Sequence, residues 1–176
     1  MKKPEQKRAR PLRKKPEVSL RARALQYLAR REYSRAELRG KLMPHVQADA
    51  NADCEQEFDS SGPVNLDALL DDLTARGWLS DERAATQLVH AKRGRFGTQR
   101  IAHDLSQKGI SEDLIGEVLP QLKETELEAA RQVWQRKFGT LPQDAKEKAR
   151  QMRFLQSRGF SLDVVFKVLK KLASED

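Results

Sequence analysis

LSQKGIS, residues 105–111, is answered fifty positions later by LQSRGFS, residues 155–161. Each stretch has a leucine, two polar residues, a cation, a glycine, an apolar residue and a serine, in that order. The agreement runs on: Leu114, Ile115, Val118, Leu119 and Leu122 are matched at the same spacing by Val164, Val165, Val168, Leu169 and Leu172. A helix that stops at glycine and restarts after one apolar residue accounts for both stretches. Glycine takes the left-handed C-terminal position without a Cβ penalty, and Ser111 or Ser161 caps the helix that follows.

Extending the comparison backwards yields a looser third copy. Ala24, Leu25, Leu28 and Ala29 match Ala84, Ala85, Leu88 and Val89, and again Ala129, Ala130, Val133 and Trp134. Leu38 and Leu42 parallel Ile101 and Leu105. In the last copy Gln151 and Leu155 hold those places, so its apolar stripe is expected to shift, with Met152 and Phe154 flanking it. The period of roughly 45–60 residues is that of helical repeat arrays. The chain is therefore expected to be all-α, with three tandem three-helix repeats in an elongated, curved array. Repeat 1 is set at 19–79, repeat 2 at 80–123 and repeat 3 at 124–176. No window alternates Val, Ile and Thr as a strand would.

Helix ends are written locally. Ser34-Arg-Ala-Glu37 and Thr125-Glu-Leu-Glu128 both read as capping boxes, the second opening repeat 3. Ser80 precedes two acids, Asp81 and Glu82, which suit the positive end of a helix dipole. Leu66, Leu69, Leu70 and Leu73 form a stripe stopped by Gly77, and Trp78 is expected to pack into the junction that follows, with Phe96 as its counterpart in repeat 2. Residues 44–63, acidic and polar, are expected to form a surface loop inside repeat 1.

Apolar residues are 38% of the 176 and charged residues 34%, which suits thin modules better than one large globule. No apolar run approaches the roughly 20 residues of a membrane span, and no signal-peptide core opens the chain, so a cytoplasmic protein without membrane contact is expected. The single cysteine, Cys54, has no partner for a disulfide and lies among polar residues without metal-ligand spacing. Of the net charge of +8, residues 1–15 supply +7, eight Lys or Arg against Glu5. Residues 1–18 thus read as a disordered basic tail, either solubilising or gripping phosphates.

Catalysis has no constellation here. His45, His90 and His103 never approach metal-site spacing, RGRFG at 93–97 lacks the phosphate-loop frame, and Asp71 and Asp72 read as a solvent face. No enzyme activity, metal or cofactor is expected. What stands out is Lys92-Arg-Gly-Arg-Phe-Gly-Thr-Gln-Arg100, four cations without an acid. The dipole of a helix end explains Lys92 and Arg93 but not readily Arg95 and Arg100. An acidic protein surface or nucleic-acid phosphates are the natural targets of such a cluster.

SRAELRGKL at 34–42, GWLSDERAATQLVHAKRGRFGTQRIAHDLSQKGIS at 77–111 and FLQSRGFSLDVVFKVL at 154–169 resemble the RecX family of bacterial regulatory proteins. The resemblance covers about 20–172. It implies tandem three-helix repeats and a regulator of the RecA recombinase, usually an inhibitor, in homologous recombination, DNA repair and the SOS response. Such a regulator binds the RecA filament on single-stranded DNA and suppresses extension, ATP hydrolysis, strand exchange and coprotease activity. No catalytic residues come with the resemblance, and neither the lengthened tail nor the acidic loop is part of its pattern. The partner-binding residues are expected to be Arg35, Arg39, Lys41, Lys92, Arg93, Arg95, Arg100 and Lys108, on a monomer. A stand-alone DNA-binding protein and a generic helical adaptor are the rival readings.

Overall fold

The computed structural model describes residues 18–51 and 65–173. Eight α-helices and no strand occur among the described residues: α1 (Leu20–Leu28), α2 (Arg35–Asn51), α3 (Leu66–Ala75), α4 (Asp81–Lys92), α5 (Thr98–Gln107), α6 (Glu112–Lys137), α7 (Ala145–Ser157) and α8 (Leu162–Ala173). The expectations for the basic tail up to residue 17, for 52–63 and for Cys54 lie outside the described residues.

Three separate apolar cores form among the described residues. One joins Leu38, Leu42, Leu70 and Leu73 in α1–α3. A second joins Leu88, Ile101, Leu105 and Ile115 in α4–α6, and a third Trp134, Leu155, Phe160 and Val165 in α6–α8. The glycine stops are as the sequence requires. Gly77, Gly109 and Gly159 have φ of 70°, 71° and 84°. The N–H groups of Trp78, Ile110 and Phe160 bond back to the carbonyls of Leu73, Leu105 and Leu155, six-residue closures of the Schellman type. Ser80, Ser111 and Ser161 cap the helices that follow.

Four expectations are corrected. The Thr125 box does not open a helix, because α6 runs unbroken from Glu112 to Lys137 and carries the chain from repeat 2 into repeat 3. Residues 121–128 contain good helix formers and no glycine or proline, and the Thr125 hydroxyl bonds back to the Gln121 and Leu122 carbonyls instead of capping. Nor does a loop begin at 44: α2 continues through Pro44 to Asn51, since one proline removes a single ladder bond and Ala48 and Ala50 favour helix. Trp78 faces outward at 44% exposure, and Leu79 is buried in its place. Gly77-Trp-Leu-Ser80 has one residue more between glycine and serine than the other two turns, which moves the inward position along by one. Finally, the α7 stripe is not shifted. Gln151 occupies the core position at 1% exposure, accepting from Trp134 Nε1 (2.7 Å) and donating to the Thr140 carbonyl (3.2 Å), so its amide is satisfied where an apolar side chain stood in the other repeats.

The repeated glycine turn also joins one repeat to the one before it. At the start of α2, Ser34 Oγ accepts from the Glu37 N–H (3.1 Å) and donates to the Lys108 carbonyl, while the Arg35 N–H donates to Asp81 Oδ1 (2.7 Å). At the start of α5, the Gly97 N–H donates to the Arg158 carbonyl (2.9 Å) and the Thr98 N–H to Glu126 Oε1 (2.8 Å). Under the spacing of the repeats, Ser34 corresponds to Gly97, Arg35 to Thr98, Lys108 to Arg158 and Asp81 to Glu126. First-turn N–H groups have no partner within their own helix. Here the next repeat supplies it. The approach is close enough that a Cβ on Gly159 would overlap Arg100, and one on Gly109 would overlap Ala36.

Gly77 and Gly159 share a left-handed φ, but only Gly159 is crowded. Gly77→Ala should cost about 1–2 kcal/mol for the backbone alone. Gly159→Ala should cost about 1–3 kcal/mol more, from overpacking. Urea unfolding of the two variants checks this, and equal losses would mean the junction contributes nothing.

Burial would raise the Glu37 carboxyl, but hydrogen bonds and charge from Arg31 and Lys108 outweigh it and hold it below the usual glutamate range. A lowered carboxylate stabilises the fold above its unfolded value, about pH 4.3, and loses that contribution as pH falls through its folded value. The stability gap between the native chain and Glu37→Gln should be widest near neutrality and shrink below about pH 4. A gap independent of pH between 3 and 7 would contradict this.

Candidate partner-binding surface

The structure divides the eight expected cations into two groups. Arg35 and Arg39 on α2 reach Asp71 (2.8 Å) and Asp67 (3.2 Å) on α3, tying two helices of repeat 1 together. Lys92 and Arg100 converge on Asp104 (2.5 and 3.4 Å), and Lys108 bonds Glu37 (2.7 Å) across the first repeat junction. These five act as internal cross-links. Lys41, Arg93 and Arg95 are exposed and form no ion pair among the described residues. Arg93 and Arg95 project from the turn between α4 and α5, where the Arg95 and Phe96 N–H groups bond the Lys92 carbonyl. Half-exposed pairs of this kind are worth about 0–1 kcal/mol, so the paired cations can also exchange partners with an incoming anion.

Three further features escaped the sequence. A cleft of about 240 Å³ between repeats 2 and 3 brings Arg95 together with Arg136, Lys137 and Arg158. These cations lie 41 to 63 residues along the chain from Arg95, so no local window contains them; only setting the repeats in register would have. Trp78 lies exposed between Arg21 and Arg76, whose guanidinium carbons stand 5.9 and 5.6 Å from its ring centroid. On α8, Leu162 and Phe166 are exposed, with Phe166 lining a cleft of about 540 Å³ alongside Leu141, Leu169 and Lys170. Phe96, by contrast, is partly buried against the second core as expected, with the Arg158 guanidinium 5.4 Å from its ring centroid.

No group of three or more His, Cys, Asp or Glu able to hold a metal ion lies among the described residues. No helix among them is long and apolar enough to cross a membrane. What the surface presents is exposed guanidinium and ammonium groups at helix ends and turns.

Comparison with known proteins agrees with this architecture. Residues 80–119 match the second three-helix domain of RecX, and 124–169 match the third. The chain is 48% identical over 156 residues to the regulatory protein RecX of Leptothrix cholodnii, covering 89% of this chain and 90% of that one. It is 43% identical over 159 residues to that of Ralstonia pickettii, covering 90% and 91%. The crystal structure of RecX from Lactobacillus salivarius shares the fold, with a TM-score of 0.67 at 18% identity over 88% of this chain and 94% of that one. The three-helix modules, their order and these relatives agree along nearly the whole chain, which belongs to the RecX family of regulatory proteins.

Proposed function

We propose that the protein is a negative regulator of the RecA recombinase. It binds the RecA filament on single-stranded DNA and inhibits extension, ATP hydrolysis, strand exchange and coprotease activity. The observation that carries this reading is the agreement with RecX relatives across about nine-tenths of the chain. The physics is favourable too. Three short modules joined end to end can contact successive subunits of a filament, and each docked module raises the effective concentration of the next. Of the eight cations expected to bind a partner, Lys41, Arg93 and Arg95 are exposed and form no ion pair among the described residues. Charge of this kind steers association and selects acidic or phosphate-bearing surfaces.

A stand-alone DNA-binding protein is the second reading, favoured by the net charge of +8. The two differ in what they need. A filament regulator inhibits single-strand-dependent ATP hydrolysis by the RecA of the same organism well below RecA stoichiometry, and does so without residues 1–15. A DNA-binding protein inhibits only where it saturates the free strand, and loses the effect with the tail or with added salt.

Arg93→Glu with Arg95→Glu should raise the concentration for half-inhibition of ATP hydrolysis about tenfold, equivalent to about 1.4 kcal/mol, with helicity by circular dichroism unchanged. Unaltered inhibition would remove both residues from the interface.

A further inference from the structure

The two repeat junctions share a backbone arrangement but carry opposite charge logic. The cleft at the first junction, about 410 Å³, is lined by Arg31, Glu32, Glu37 and Lys108, two cations and two acids. All four are internally satisfied: Glu37 takes Arg31 and Lys108, and Glu32 takes Arg83 from α4 (3.0 Å). The spacing that relates the repeats carries Glu32 onto Arg95, Ala91 onto Arg136, Lys92 onto Lys137 and Lys108 onto Arg158. The second cleft is therefore lined by Arg95, Arg136, Lys137 and Arg158, with no acid. Glu37, the acid at the centre of the first junction, is replaced by Arg100.

The dipoles of the helix ends do not account for the difference. Lys137 ends α6 as Lys92 ends α4, and Arg158 caps α7 as Lys108 caps α5, so both clefts have the same helix ends. What distinguishes the second is the absence of acids and the presence of arginines in their place. Two of the lining arginines, Arg136 and Arg158, are held in position. Arg136 Nη2 donates to the Gly94 carbonyl (3.1 Å) and its Nε to the Gln132 carbonyl (3.2 Å), which leaves further N–H groups to donate. The Arg158 guanidinium carbon stands 5.4 and 5.2 Å from the Phe96 and Phe154 ring centroids. None of the four lining cations has a carboxylate partner among the described residues. Four like charges around so small a space repel one another until an anion enters.

We propose that this cleft is a phosphate site for the backbone of a nucleic-acid strand. Three guanidinium forks match the oxygens of a phosphodiester, and the volume suits one such group rather than a peptide segment. A cleft this polar and positive resembles a protein–nucleic acid contact more than a protein–protein one, whose centre is apolar. Arg93 on the adjoining turn is placed to meet a neighbouring phosphate. The proposal goes beyond the recombinase reading and does not depend on it, since the strand is contacted directly.

The test places the residues of the first junction into the second. The double variant Arg95→Glu, Arg136→Ala reproduces Glu32 and Ala91. Lys123→Glu with Lys146→Ala makes the same charge change at exposed lysines that do not line the cleft. Binding of the full chain to a fluorescein-labelled oligo(dT) strand is measured from 50 to 300 mM salt. The cleft variant should raise Kd about tenfold or more, and flatten the log–log salt dependence by about 0.7 for each phosphate it no longer neutralises. The control should change Kd less than threefold. Helicity of the cleft variant by circular dichroism should be unchanged, since the relieved repulsion offsets the loss of the Arg136 hydrogen bonds to the Gly94 and Gln132 carbonyls. Lys137→Gln, which removes one charge and no hydrogen bond among the described residues, should raise Kd about threefold and serves if the double variant does not fold. Equal weakening by variant and control would overturn the site in favour of diffuse charge. Unchanged strand binding with impaired inhibition of RecA would overturn it in favour of an acidic protein contact, and would leave the recombinase reading intact.

Discussion

Two backbone N–H groups, those of Arg35 and Thr98, decide how the repeats sit on one another. Each is a first-turn donor that its own helix cannot satisfy, and each meets a carboxylate from the following repeat, Asp81 or Glu126. A buried donor left unpaired costs about 1–3 kcal/mol, and a hydrogen bond to an ionised acceptor is among the stronger ones. Alongside, Ser34 and Gly97 donate to the carbonyls that precede Gly109 and Gly159. The second helix of one repeat is thus finished only when the next repeat docks. Each core is small, so neighbour contacts of this kind are what an array of such modules depends on.

On that shared scaffold the two junctions have diverged in charge. The first is closed on itself by Arg31, Glu37 and Lys108, with Glu32 and Arg83 beside them. The second keeps the backbone contacts, that to Glu126 included, but has no acid in its cleft, which Arg95, Arg136, Lys137 and Arg158 line. Function in repeat proteins is carried by such side-chain differences on a common frame. Arg93 and Arg95 belong to the exposed side of the same junction, so the surface proposed to meet a filament and the cleft proposed to take a phosphate adjoin.

What could be read from the sequence was local. A glycine that must take positive φ, a serine that caps and a leucine stripe each act within a turn or two of chain, and Gly109, Ser111, Ile101 and Leu105 behave as their spacing implies. What could not be read depends on distant partners or on competition between local signals. Thr125 has a capping signature, but helix propagation through 121–128 overrides it. Gln151 looks wrong for a core until Trp134, 17 residues away, supplies its donor. Asp81 and Glu126 reach their N–H partners over separations of 46 and 28 residues. Part of the candidate site was visible as the run from Lys92 to Arg100. Lys92 and Arg100 then proved to be tied to Asp104, while Arg136, Lys137 and Arg158 joined from the third repeat.

Amide hydrogen exchange on the full chain tests the shared helix caps most directly. The first-turn N–H groups of Arg35 and Thr98 should exchange as slowly as mid-helix amides, whereas that of Glu112, which starts α6 behind its own Ser111, should exchange fast. When RecA filaments on single-stranded DNA are added, protection should appear at residues 93–97 without change at Arg35 and Thr98. If Arg35 and Thr98 exchange as fast as Glu112 in the free chain, the repeats are not joined by shared helix caps and the central claim fails.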